Sequence, residues 1–149
     1  MDNFSTLIEL LIKEEMEGRP SHERVVILGD TPRYLREKAG FPDLKIAMTG
    51  KVVSKACFDH GIPTSMLKRL PKIIESPKSL FHSANVQMTD SVVVITLEFK
   101  QAGPIIIPMR REVLVGRQKY NVVSSIYAKE GPDPAIKWKG QGLLIHEWE

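Results

Sequence analysis

The chain has 149 residues, 42% hydrophobic and 26% charged, the proportions of one ordinary globular domain. It has no run of about 20 apolar residues that would span a bilayer, and a single cysteine, Cys57, excludes an internal disulfide and a cysteine-based zinc cage. The net charge of +3 is uneven: residues 1–30 hold seven acids against three bases, a balance of −4, so the other 119 residues carry +7. A basic body favours a polyanion such as a nucleic acid, because each phosphate contact releases counterions, although ordinary solubilising charge gives the same count. The acidic start lacks the basic region of a secretory signal, which fits a cytoplasmic working place, although a toxin module delivered into a target cell as part of a longer exported chain would look the same.

Along the chain, Phe4, Leu7, Ile8, Leu11 and Ile12 recur at helical spacing until Gly18-Arg19-Pro20 ends the pattern. This predicts an amphipathic helix in residues 1–19, either packed on the body or serving as an adaptor, with the main domain in residues 20–149. Residues 25–28 form a short strand candidate before Gly29-Asp30. Thr31 and Pro32 then open a helix that Gly40-Phe41-Pro42 breaks, and residues 44–48 read as extended. Helical spacing returns over 50–58, with Gly61 and Pro63 as stops, and again from a cap at Thr64 to Glu75. Pro71 inside that last pattern predicts a kink or split near Leu70.

The second half is rich in Val and Ile and predicts strands over 80–84, 91–100, 104–115, 120–129 and 143–148, interrupted by one short helix from Pro134 to about Lys139. Helices first and consecutive strands later predict an α+β fold with an antiparallel sheet of four to five strands.

Three groups of residues can carry chemistry. His60 extends the apolar stripe of Val53, Ala56 and Cys57 at a helix end, where it serves either as a capping residue favoured by the helix dipole or as a general acid or base facing the sheet. Lys51 and Lys55 share another face of that helix and can line an anionic path. In NVVSSIYAK, uniform alternation puts Val122, Ser124, Ile126 and Ala128 on one face and Asn121, Val123, Ser125, Tyr127 and Lys129 on the other. Ser125 and Tyr127 would then stand about 7 Å apart and, with Lys129, suit a phosphate; cross-strand structural bonding uses the same residues. Finally, Arg110, Arg111, Arg117 and Lys119 gather around a predicted hairpin, either clamping a phosphate backbone or solvating strand ends. The four histidines lack metal-ligand spacing and no phosphate loop or dinucleotide fingerprint occurs, so no metal or other cofactor is expected.

KACFDHGIPTSMLKRLPKIIESPKSLFHSA, SVVVITLEFK, NVVSSIYAK and IKWKGQGLLIHEWE together resemble the phage MuF C-terminal domain family, over residues 25 to 148. The features that carry the likeness are the His-Gly pair, the LP…P segment, the Ser-x-Tyr strand and the Trp…Gly-Leu-Leu ending. The resemblance implies a nuclease of the barnase/EndoU/colicin/RelE-like class, found in phage proteins and polymorphic toxins, with N-terminal helices packed on a twisted antiparallel sheet whose face holds the active site. It implies metal-independent RNA cleavage, tRNA included, by attack of the ribose 2′-OH, with an immunity or antitoxin protein as a partner. By position it makes His60 the acid or base, has Ser125 and Tyr127 contact phosphate or relay a proton, and gives Lys55 and Lys129 supporting charge. Asn121 and Arg111 complete the expected substrate contacts. The chain departs from the family pattern at Asp59, where a basic residue often precedes the histidine. A catalytically inactive RNA-binding module and a protein-interaction module docked through the first helix are the competing expectations.

Overall fold

The computed structural model describes residues 3–85, 90–101 and 103–148. The α+β class is as expected, but the sheet has eight strands rather than four to five. Their order is β1 (Val25–Asp30), β2 (Lys45–Thr49), β6 (Gln118–Val123), β5 (Gly103–Val115), β4 (Ser91–Lys100), β3 (Pro77–His82) and β8 (Leu144–Glu147), with β7 (Tyr127–Ala128) beside β5. The surplus has two sources. The short extended pieces of the N-terminal half join the sheet through β2, which pairs with β6 in parallel, so the sheet is not purely antiparallel. The expected strand over 120–129 also splits into β6 and β7.

The central strands are covered on both faces, which is why they read as unbroken apolar runs rather than as alternation. On one face lie α1 (Asn3–Met16), α2 (Arg33–Ala39), α3 (Gly50–Ser54), α4 (Thr64–Leu67) and α5 (Leu70–Glu75). Ile8, Leu11, Val53, Leu67, Leu70 and Ile74 from this layer share a core with Ile46, Val94, Ile105, Ile107 and Met109 of the sheet. The other face is covered by α6 (Pro134–Gly140), whose Trp138 meets Phe81 edge to face at 5.4 Å over Val93, Ile95 and Ile106. Among the described residues no helix is long and apolar enough to cross a membrane.

Several local expectations have clear physical outcomes. The apolar side of α1 (Phe4, Ile8, Leu11, Ile12) is buried in the main core and is therefore closed to an outside partner. The break near Leu70 is present, since α4 ends at Leu67 and α5 opens with Pro71 in its first turn. Neither Thr31 nor Thr64 caps a helix, because Pro32 and Pro63 hold the cap positions. The Thr31 hydroxyl instead donates to the Leu44 carbonyl and accepts from the Asn121 amide.

Asn121 itself is fully buried. Its Nδ2 donates to Thr31 Oγ1 at 2.7 Å and to the Pro42 carbonyl at 2.9 Å, and its Oδ1 accepts from the Glu112 N–H at 3.0 Å. The expectation that Asn121 contacts substrate is therefore corrected: its amide is fully engaged in joining β6 to the loop after α2. Asn121→Ala orphans several of these groups at once, and is expected to cost about 2 kcal/mol. The check is a lowered urea midpoint at unchanged slope; an unaltered midpoint contradicts the buried network.

Candidate functional site

His60 owes its position to an interrupted helix. After α3 the chain widens into one π turn, Lys55–Asp59, and the His60 N–H donates to the Lys55 carbonyl at 2.9 Å. Such a turn re-aims the following side chain, and π bulges recur at functional sites. Gly61 then takes φ +63°, the left-handed geometry that ends helices. The Lys100 ammonium packs over this glycine, 2.8 Å from where a β-carbon would stand. The His-Gly pair thus needs glycine for its backbone angle, whereas the Lys100 tip is flexible and could move aside. From there Lys100 Nζ donates to the His60 carbonyl at 3.3 Å.

Tyr127 comes from the sheet. It stands opposite Ile106 on β5 and so belongs to the face covered by α6. Among the described residues β7 pairs with β5 alone, which leaves Tyr127 at a local sheet edge, open to the helix end that carries His60. The two rings lie 6.1 Å apart between centroids, tilted by 47°. Burial pushes the Tyr127 phenol above its ordinary pKa, so at neutral pH it is a neutral hydrogen-bond donor. Half-buried His60, half-buried Tyr127 and the Lys100 ammonium form the cluster that the fold assembles. Among the described residues no hydrogen bond reaches the His60 ring nitrogens.

The polar stripe read from uniform alternation is not one stripe. Val123 stands opposite Met109 and Ala128 opposite Ile105, and all four belong to the helix-side core. Five steps along a regular strand would reverse the face, so the irregular residues 124–126 absorb a slip of one. Asn121 and Val123 therefore point to the helix layer, whereas Tyr127 points to the α6 side. Ser124 anchors the slip, bonding the Pro108 carbonyl through its N–H at 2.9 Å and its hydroxyl at 3.1 Å. Ser125 is half-buried within the same segment and has no hydrogen bond to His60 or Tyr127 among the described residues.

The expected cations scatter. Lys55 faces a separate shallow cavity with Glu15, His22 and Asp59. Lys129 is exposed, its N–H bonded to the Pro104 carbonyl at 3.1 Å, so its ammonium is free to approach from solvent. Arg111 donates to the Ala39 carbonyl at 3.4 Å, closing the end of α2 rather than joining the cluster. Arg110 pairs with Asp90 at 3.1 Å and Lys119 with Glu112 at 3.8 Å. Lys100 was the residue that sequence reasoning missed. It carries no periodic signal, because its position depends on a contact between residues 40 apart. Among the described residues no group of three or more His, Cys, Asp or Glu is placed to hold a metal ion.

Neither the curated proteins nor the solved structures contain a match to the chain. The sequence model of the phage MuF C-terminal domain matches residues 51–146. The match starts inside α3 and runs into β8, so β1, α2 and β2 lie outside it although the resemblance was read from residue 25. It includes His60, Lys100 and Tyr127, and covers well over half of the chain. The chain belongs to the phage MuF C-terminal domain family.

Proposed function

We propose that this domain is a metal-independent endoribonuclease of a phage effector or toxin protein. The observation that carries the reading is the His60 imidazole 6.1 Å from the Tyr127 ring, with the Lys100 ammonium at the His60 carbonyl. An imidazole is a base near neutral pH, a buried phenol is a neutral donor, and an ammonium favours a phosphate. In this reading His60 takes the proton from the ribose 2′-OH as that oxygen bonds to phosphorus. The phosphorus–5′-oxygen bond breaks, and Tyr127 supplies a hydrogen bond or proton to the departing oxygen. Lys100, with Lys129 from solvent, offsets the charge that gathers on the phosphorane. The products are a 2′,3′-cyclic phosphate and a 5′-hydroxyl. RNA, with tRNA as the first substrate to try, is the partner this chemistry calls for, met in the cytoplasm of the producing or a target cell. An immunity protein would act by covering the His60–Tyr127 edge.

The direct test is incubation of the folded protein with tRNA or total RNA in EDTA. Cleavage that depends on His60 supports the proposal, and intact RNA at high protein concentration overturns it. A second reading, an RNA-binding module without chemistry, draws support from the absence of a hydrogen bond to the His60 ring among the described residues, since nothing then fixes the tautomer a base requires. Such a module binds RNA with a steep salt dependence that His60→Ala leaves unchanged.

A further inference from the structure

We infer that the cavity between the start of β5 and the start of α6 is a subsite for one nucleobase of the RNA strand, a conclusion that rests on the RNA-cleavage reading. The cavity measures about 160 Å³ and is lined by Lys78, Ser79, Ile95, Phe99, Pro104 and Asp133, among others. That is below the roughly 300–1,000 Å³ of pockets for drug-sized molecules, and it suits a single ring system. It lies on the same sheet face as Tyr127. Ile95 stands opposite Ile106, the strand partner of Tyr127, and Pro104 is two residues before Ile106. The step from Pro104 to Ile106 is about 7 Å along the strand, so the cavity lies beside the strand pair that carries Tyr127.

The walls carry the chemistry that a base requires. Ser79 is 1% exposed, and its Oγ has no hydrogen-bond partner, an unmet polar group that lines the cavity. Such a group is costly to bury and finds a partner when a polar ring edge enters. Phe99 is 52% exposed, although it is a large aromatic. With Pro104 opposite it across the hairpin it forms a flat apolar wall, the kind of surface on which single-stranded RNA bases stack. Asp133 uses Oδ1 to accept the Ala135 N–H at 2.9 Å, capping α6. Its second oxygen has no partner among the described residues. The Lys78 ammonium is likewise without an ion pair among them. A carboxylate acceptor and an ammonium donor lining one cavity match the edge that every RNA base presents, an amino group or ring N–H next to a ring nitrogen or carbonyl.

The test follows backbone amide shifts of the full chain during titration with AMP, CMP, GMP and UMP, with inorganic phosphate as control. Shifts at Ser79, Phe99 and Ala135 with all four nucleotides are expected, at least about 5-fold tighter than with inorganic phosphate, a difference within what stacking of one base supplies. Phe99→Ala is expected to weaken binding about 10-fold through lost stacking. Asp133→Asn keeps the helix cap and is expected to weaken binding through the lost charged acceptor. Ser79→Ala is expected to weaken binding without lowering stability, since it removes an unmet polar group. Shifts equally strong with inorganic phosphate alone, no response at the cavity, or unchanged binding in Phe99→Ala would each overturn the subsite. Because binding is read without turnover, the two ideas separate. Base binding by a protein that leaves RNA intact would sink the cleavage reading, and cleavage without base binding would sink this one.

Discussion

Replacing His60 with alanine is expected to slow RNA cleavage by at least about 100-fold while the protein stays folded, the usual scale of a general acid or base. The separation of activity from stability follows from how the residue is held. The helix end is closed by the His60 N–H, the left-handed Gly61 and the Ile62 N–H, which donates to the Ala56 carbonyl at 2.9 Å. All are backbone features that alanine retains. The imidazole is half-buried beside Tyr127 and is bonded to no neighbour among the described residues. Its loss therefore removes a reacting group more than a support. Lys55→Ala is the matching control, since Lys55 faces a different cavity, and its rate should stay near that of the unaltered protein. Equal losses in both variants would mean that the helix, not the imidazole, had been disturbed.

Gly50→Ala is expected to cost about 3 kcal/mol, at the upper end for forcing an added carbon into packed structure. A β-carbon at Gly50 would lie 2.1 Å from the Ser21 carbonyl oxygen, and its two nearest neighbours are backbone atoms that cannot swing aside, with the Leu11 side chain next at 3.3 Å. The same glycine donates its N–H to the Arg24 carbonyl at 2.8 Å, and Lys51 donates to the His22 carbonyl at 3.0 Å. The loop before β1 is thus laced to the first turn of α3, and alanine must push the two apart. Because α3 leads directly into the π turn and His60, activity should fall along with stability. A melting temperature lowered by about 6–12 °C is the expected reading for a chain of this size. A change below about 1 °C would show that the loop yields freely.

Much of this architecture was legible in the residues. The apolar spacing of α1, the proline that divides α4 from α5, and the Pro134 start of α6 are local signals, and each has its element. The strand count was not legible, because β1 and β2 enter the sheet through Ile46 opposite Asn121 and Ala47 opposite Val122. That parallel pairing spans some 75 residues and leaves no local mark. Nor was the slip at residues 124–126. Alternation is a rule about regular strands, and one irregular step moved Asn121 from the expected site face into the core. His60 and Tyr127 were legible as chemistry-bearing residues, and the family likeness extended to both. Their meeting with Lys100 required the β4–β5 hairpin to pack over Gly61, a contact that no spacing encodes.

The central claim is that His60 and Tyr127 promote attack by a ribose 2′-hydroxyl. It is tested most directly with a DNA oligonucleotide carrying a single ribonucleotide, incubated with the folded protein in EDTA. The account predicts one cut, 3′ to that ribonucleotide, leaving a 2′,3′-cyclic phosphate, with no cut in the all-DNA strand or in the His60→Ala variant. Cleavage of the all-DNA strand, or a cut that persists without His60, would contradict it.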